Sequence, residues 1–276
     1  MFKGKVNRLL LLLTVVVAVL FGWTLWQEFS ADINSSPVIS FPEGTLIVSV
    51  EDGEEALLTD VTAEDPEDGD VTESLVIEGI SEFQDDGSRI VTYAAFDGSN
   101  NVTKSTRSFY YSDYTSPEII LLAELIAETG EQINLQDCIL VNDVLDGNIT
   151  SQLQITESDY SMYTAGVYDV TLEVTNSAGD VETVIYQIAS VEELEAASIS
   201  ITLTYYSTYV EAGESFDPYE WIDSVEGTDD YGEELTEEDL VITNPVNTQV
   251  TGQYEVTYLL TSGEETVSTT LVVIVR

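Results

Sequence analysis

The sequence predicts an all-β chain, three tandem β-sandwich domains behind one N-terminal transmembrane helix. Three observations carry the prediction. After residue 37 a set of landmarks recurs three times in the same order. Short segments of alternating polarity are separated by glycine-bearing turns, with no sustained 3.6-residue period. Near the N-terminus one long apolar run follows a cluster of basic residues.

The apolar run comes first in the chain. Lys3, Lys5 and Arg8 precede an uncharged stretch from Leu9 to Trp26 that holds ten Leu or Val residues between Leu9 and Leu20. A run of that length suffices to span a bilayer. The basic side is expected to stay cytoplasmic, and Trp23 and Trp26 suit the outer interface. The expected layout is a cytoplasmic tail over residues 1–8, a transmembrane helix over 9–26 and a linker over 27–36. A cleaved signal peptide is the competing reading. It would need a shorter apolar core and small residues before the cut, whereas Phe29-Ser30-Ala31 places a bulky Phe three residues before it.

Three landmarks define the repeats. Glu-x-Gly-Glu stands at Glu51, Glu128 and Glu211, with a glycine at the centre to supply the positive φ of a tight turn. The second landmark is Glu67-Asp68-Gly69-Asp70-Val71-Thr72, which recurs as Asp146-Gly147-Asn148-Ile149-Thr150 and in degenerate form as Tyr231-Gly232-Glu233-Glu234-Leu235-Thr236. The third is a glycine that opens an alternating strand, at Gly87, Gly166 and Gly252, followed each time by a turn and one more strand. Val267, Thr269, Leu271, Val273 and Val275 share one face of the last strand, while Val272 and Ile274 make the other face denser in apolar residues than usual. Ile119 to Glu128 reads as the first strand of the second repeat, and Cys138 as a small buried strand residue. Domains are expected over 37–112, 116–190 and 196–276.

The order Glu-x-Gly-Glu, then Asp-Gly-Asp-[Val/Ile]-Thr, then Gly-x-Tyr-x-Val-Thr-Tyr resembles the bacterial surface immunoglobulin-like domains first named from a pesticidal crystal protein. These are similar to hyalin-type and cadherin-like repeats. The first repeat carries the pattern most fully, in Ala63 to Thr72; the second keeps Asp146 to Thr150 and Asn176 to Gly179. The third departs at Tyr231-Gly232, although Phe216-Asp217-Pro218-Tyr219 again matches. The resemblance implies Ig-like β-sandwiches arranged in tandem on an exported protein.

Charge and composition narrow the chemistry. With 52 acidic against 7 basic residues the formal net charge is −45, which repels nucleic acid and suits a soluble extracellular surface. There is no His and only one Cys, which excludes an internal disulfide, a Cys/His zinc set and a His-based triad. Lys104 is the only Lys after the anchor, so Lys–Asn isopeptide staples cannot serve all three repeats. Asn34, Asn101 and Asn148 lie in glycosylation sequons, as a Thr-rich chain produces by chance.

Asp65, Glu67, Asp68 and Asp70 form the densest carboxylate cluster. Calcium takes such oxygen ligands, but the spacing is not that of an EF-hand loop, and the reading adopted is a solvated turn whose Asp side chains cap its backbone. Tyr110, Tyr111, Tyr114, Tyr205, Tyr206, Tyr209, Tyr219 and Trp221 offer stacking faces for a glycan. Strand alternation turns about half of them inward, so core and junction packing is the adopted reading.

The expected function is that of a single-pass cell-surface stalk, N-terminus cytoplasmic and C-terminal domains outside, serving adhesion, ligand presentation or spacing without catalysis. Expected partners are the lipid bilayer through Leu9 to Trp26 and an unknown surface protein or glycan; no catalytic, cofactor-binding or metal-ligating residues and no nucleic acid are expected. The last predicted strand ends at Arg276, so no distal catalytic domain is expected. The alternative is an accessory subunit of a larger membrane or cell-envelope assembly.

Overall fold

A computed structural model of the chain describes residues 14–26, 35–194 and 197–276. The described residues are all-β apart from short helical turns and one N-terminal helical stretch. It forms two compact units, Met1–Ser112 and Asp113–Arg276. The first contains the first repeat; the second contains the other two.

Residues 14–26 are helical, with Val15 to Trp26 side chains exposed. Among the described residues no helix is long and apolar enough to cross a membrane. Residues 9–13 of the expected span, the tail over 1–8 and most of the linker lie outside the described residues.

In the first unit, β1 (Val38–Ser40), β3 (Thr62–Asp65) and β4 (Gly69–Asp70) form one sheet in the order β1-β3-β4. A second sheet, ordered β2-β7-β6-β5, comprises β2 (Leu46–Val48), β5 (Val76–Ile80), β6 (Arg89–Phe96) and β7 (Val102–Tyr111). The expected hairpin is β6–β7, paired from Arg89↔Phe109 to Phe96↔Val102. Between the sheets Val48, Leu57, Val61, Val91, Tyr93 and Phe109 are buried together. Each such apolar side chain contributes on the order of 1.5–3 kcal/mol by leaving water.

The second unit repeats this plan twice. The second repeat has β8 (Glu118–Leu121), β9 (Ile126–Glu128), β10 (Ile139–Asp143), β11 (Gly147–Asn148), β12 (Gln154–Ser158), β13 (Gly166–Thr175) and β14 (Val181–Val191). Its sheets are ordered β11-β10-β8 and β12-β13-β14-β9. The third has β15 (Ser200–Leu203), β16 (Ser207–Val210), β17 (Ile222–Glu226), β18 (Val241–Thr243), β19 (Gly252–Ser262) and β20 (Glu265–Val275), in sheets β15-β17 and β16-β20-β19-β18. In every repeat a short early strand runs parallel to the last one, as β2 to β7, β9 to β14 and β16 to β20.

Two local expectations are corrected. Ile119 to Glu128 is not one strand: it breaks after Leu121, β8 pairing in one sheet and β9 in the other. Cys138 ends a one-turn helix, Leu135–Cys138, and is half-buried against the core rather than lying inside a strand. Burial, assisted by Asp137, pushes its thiol up, so it behaves as an unreactive small hydrophobe. The Glu-x-Gly-Glu turns are as expected, with φ of 66° at Gly53, 99° at Gly130 and 90° at Gly213, a region that favours glycine.

Candidate functional site

The acidic turn is built the same way in the first two repeats and differently in the third. Asp65 Oδ1 accepts the N–H groups of Glu67 and Asp68 at 2.9 and 2.8 Å, and Asp143 Oδ1 accepts those of Leu145 and Asp146 at the same distances. In the third repeat Asp229 Oδ1 accepts from Tyr231 and Glu233, both at 2.8 Å. Each turn then closes on a carbonyl earlier in the chain: Val71 on Ala63, Ile149 on Val141 and Leu235 on Gly227, at 2.9, 3.0 and 3.0 Å. The third repeat thus fills the same place with a different loop, in which the Asp229 N–H also bonds to the Glu233 carbonyl at 2.8 Å, and Tyr231-Gly232 departs from the pattern of the other two accordingly. The repeated acid is Asp65/Asp143/Asp229. Its constant spacing to Val71, Ile149 and Leu235 is the sequence signal that identifies it.

Threonine completes the turn in two repeats. Thr72 Oγ1 accepts the Ala63 N–H at 3.0 Å and Thr150 Oγ1 that of Val141 at 2.8 Å. Hydrogen bonds from Thr72 also hold the Asp70 carboxyl below the usual carboxylate range. The second acid ties the turn to the last hairpin: Asp68 Oδ2 accepts the Gly98 N–H at 2.7 Å, and Asp146 Oδ2 the Ser177 N–H at 2.6 Å. A Cβ on Gly98 would stand 3.0 Å from that Asp68 oxygen, which is why glycine suits the position. Glu67 binds Ser35 through its carboxylate, with Ser35 Oγ donating at 2.6 Å. Among the described residues no three His, Cys, Asp or Glu side chains are grouped so as to hold a metal.

The aromatic residues divide largely as strand alternation predicts. In the first unit Tyr110 donates to Asp86 Oδ2 and Tyr111 stacks edge-on against Phe109 at 5.3 Å. In the second, Tyr114 donates to Asp180 Oδ2 at 2.7 Å and accepts from Asn176 Nδ2 at 2.9 Å; burial and Asp180 raise its phenol well above the ordinary value. Trp221 packs into the third repeat's core. Tyr205 and Tyr219 are the more exposed faces.

Tyr206 and Tyr209 take the junction reading, in a geometry that the sequence does not specify. β8 is the edge of its sheet, and its outward groups need partners. The third repeat supplies them: Ile119 N–H donates to the Tyr209 hydroxyl at 3.0 Å, Leu121 N–H to Ser207 Oγ at 2.7 Å, and Tyr206 N–H to the Leu121 carbonyl at 2.7 Å. Tyr186, buried in the second repeat, donates to the Ile119 carbonyl, and its oxygen stands within hydrogen-bond distance of Ser207 Oγ, at 2.8 Å. Tyr209 also donates to Glu182, whose carboxyl is raised by burial. Arg276 lies over the Tyr209 ring at 4.8 Å and donates to Glu118, Glu211 and the Ser116 carbonyl. Val272, on the unexpectedly apolar face of β20, is buried in the second repeat's core cluster, with Ile274 packed against it. Beside this junction opens a cleft of about 350 Å³, lined by groups including Leu125, Ile126, Tyr206, Gln253 and Thr269. Apolar and aromatic surface mixed with amides, hydroxyls and the carboxylates of Glu124 and Glu255 suits a polar ligand without negative charge.

No protein-family profile matches the sequence. An uncharacterized 81.3 kDa protein of Acholeplasma phage L2 is 29% identical over 116 residues, which is 42% of this chain and 15% of the phage protein. The chain therefore matches only a small part of that relative's length. Among solved structures, the CBM51-2 and INT domains of Clostridium perfringens ZmpB align at 30% identity with a TM-score of 0.25, over 30% of this chain and 20% of that one. Drosophila N-cadherin EC1-4 aligns at 11% identity with a TM-score of 0.26, over 84% of this chain and 74% of that one.

Proposed function

We propose that the chain is a membrane-anchored cell-surface protein. In this reading Leu9 to Trp26 holds it in the bilayer, and three tandem Ig-like sandwiches serve adhesion, ligand presentation or spacing without catalysis. One observation carries the mechanical part. The second and third repeats share a buried junction in which an edge strand is capped by Ser207, Tyr206 and Tyr209 and Val272 enters the neighbour's core. Such a joint resists bending where a bare linker would not. The raised phenols of Tyr186 and Tyr209 fit the same role, since burial is the leading cause of each and their partners are structural. The cleft beside the junction is the surface to which this reading assigns a glycan or a protein loop.

The test is expression of the full chain with a C-terminal tag in a bacterial host. The expected result is a membrane-fraction protein whose tag is cut by protease added outside intact cells, and whose detergent-purified form binds members of a surface-glycan and surface-protein panel. Recovery in the cytosolic fraction, or a protected tag, overturns the anchor. Stoichiometric co-purification with an envelope assembly replaces the stalk with the accessory-subunit reading.

A further inference from the structure

The second repeat joins its acidic turn to its last hairpin by one buried contact: Asn176 Nδ2 donates to Asp143 Oδ2 at 3.0 Å. Both residues are buried, 5% and 6% exposed. The first repeat places Asp65 and Asp97 at the matching positions. Asp65 matches Asp143 through the turn hydrogen bonds described above. Asp97 matches Asn176 through its loop, since Asp97 Oδ1 accepts from the N–H groups of Ser99 and Asn101 as Asn176 Oδ1 does from Ala178 and Asp180. The backbone agrees, with Asp97 N–H bonded to the Asn101 carbonyl at 3.1 Å and Asn176 N–H to that of Asp180 at 3.0 Å.

With aspartate in place of asparagine, the first repeat has no N–H to offer across this contact. Asp97 Oδ2 instead accepts from Asn101 Nδ2 at 2.6 Å. Asp65, 4% exposed, is left with Oδ2 buried and without a hydrogen-bond partner among the described residues. The correspondence with Asp143 and Asn176 sets this oxygen toward the Asp97 carboxylate, and two buried carboxylates so placed are costly unless a counter-charge lies between them. The third repeat has lost the arrangement, because β19 turns into β20 through Gly263 and Glu264 alone, and no longer loop remains.

We propose that the first repeat binds a calcium ion between Asp65 and Asp97. The donors are oxygens only, which selects a hard cation, and the two negative charges match a divalent one. Asn101 contributes its amide oxygen once its side chain turns over, an orientation set by whatever it faces. Asp68, pinned to the Gly98 N–H, stands over the same loop. Backbone carbonyls and water complete the shell, as calcium's variable coordination permits. The site is therefore not the local cluster of Asp65, Glu67, Asp68 and Asp70 but a pair of carboxylates drawn from two loops distant in the chain.

The test is calorimetry of the full chain in EDTA, in millimolar calcium and in magnesium at equal ionic strength. Calcium is expected to raise the transition of the first unit by about 5 °C over EDTA, with a smaller magnesium effect. Asp97→Asn, which restores the Asn176 contact, is expected to raise the cation-free transition and abolish the calcium response; Asp65→Asn should abolish it too. Asp85→Asn, an equal charge change at an exposed position of the same unit, should keep the response. No calcium response in the wild type overturns the proposal, and so does a response that survives in Asp97→Asn, which would mean diffuse screening. A wild type silent to calcium but stabilised between pH 7 and pH 5 would assign the gap to a shared proton, again overturning it.

Discussion

The first and third repeats each bury a tyrosine at one position of the strand opened by the landmark glycine, and the second repeat does not. Tyr93 donates to the Leu57 carbonyl at 2.7 Å and Tyr258 to that of Pro218 at 2.6 Å, each bond closing within its own repeat. The second repeat has Leu172 there, equally buried. Its buried phenol is Tyr186 on the neighbouring strand, and that hydroxyl reaches Ser207 of the third repeat. The difference teaches that a private core hydrogen bond has been exchanged for one that fastens two repeats together.

The largest expected effect breaks that fastening. Tyr186→Ala removes a fully buried ring and its two hydrogen bonds and should cost about 3–5 kcal/mol. Calorimetry should show the second unit's transition falling and splitting in two while that of the first unit stays in place. A single undivided transition would mean that the junction does not couple the repeats.

Next come the private tyrosines. Tyr93→Phe and Tyr258→Phe keep the ring and leave one carbonyl without its donor, for roughly 1–3 kcal/mol each. Urea unfolding should place the first loss in the first unit only and the second in the second unit only.

The phenols also set a pH dependence. Burial raises Tyr186, Tyr209 and Tyr258 above their ordinary value, so the folded state holds protons that the unfolded state releases. Their contribution is fully present below pH about 10 and is lost as pH rises from there through the folded values. Thermal melts between pH 8 and 11 should show the second unit weakening, and Tyr186→Phe should flatten the slope.

Arg276→Lys tests the rim of the junction. Lysine keeps the charge but loses the planar fork that serves Glu118, Glu211 and the Ser116 carbonyl over the Tyr209 ring, at a cost of about 1 kcal/mol in urea titration. Smallest of all is Lys104→Ala. Its ion pair with Glu78 lies on a surface where both side chains are about half exposed, so a change of roughly 0–0.5 kcal/mol is expected.

Much of this architecture is legible in the chain, because the signals are local. Positive-φ glycines at Gly53, Gly69, Gly130, Gly147 and Gly213 mark turns that few other residues can make. The alternation after Gly87, Gly166 and Gly252 marks the long hairpins. Ile119 to Glu128 misleads for a physical reason: a strand that changes sheets keeps its apolar composition through the break. Cys138 misleads because a single helical turn has too few residues to show a period.

The partners across the junction were illegible for a different reason. Val272 and Ile274 show in the sequence that both faces of β20 are apolar, but not what covers the second face. Ser207 and Tyr209 look like ordinary strand residues until β8 lies beside them. The contact between Asn176 and Asp143 is hidden likewise, since nothing in the spacing says that two loops so far apart in the chain meet in one buried hydrogen bond. By itself the sequence determined the β-character, the repeat and its turns, all of which rest on φ preferences and on the period of neighbouring side chains. Only the tertiary structure decided which repeats are welded and which carboxylate is left without a partner, because burial and hydrogen bonding between distant segments exist only once the chain has folded.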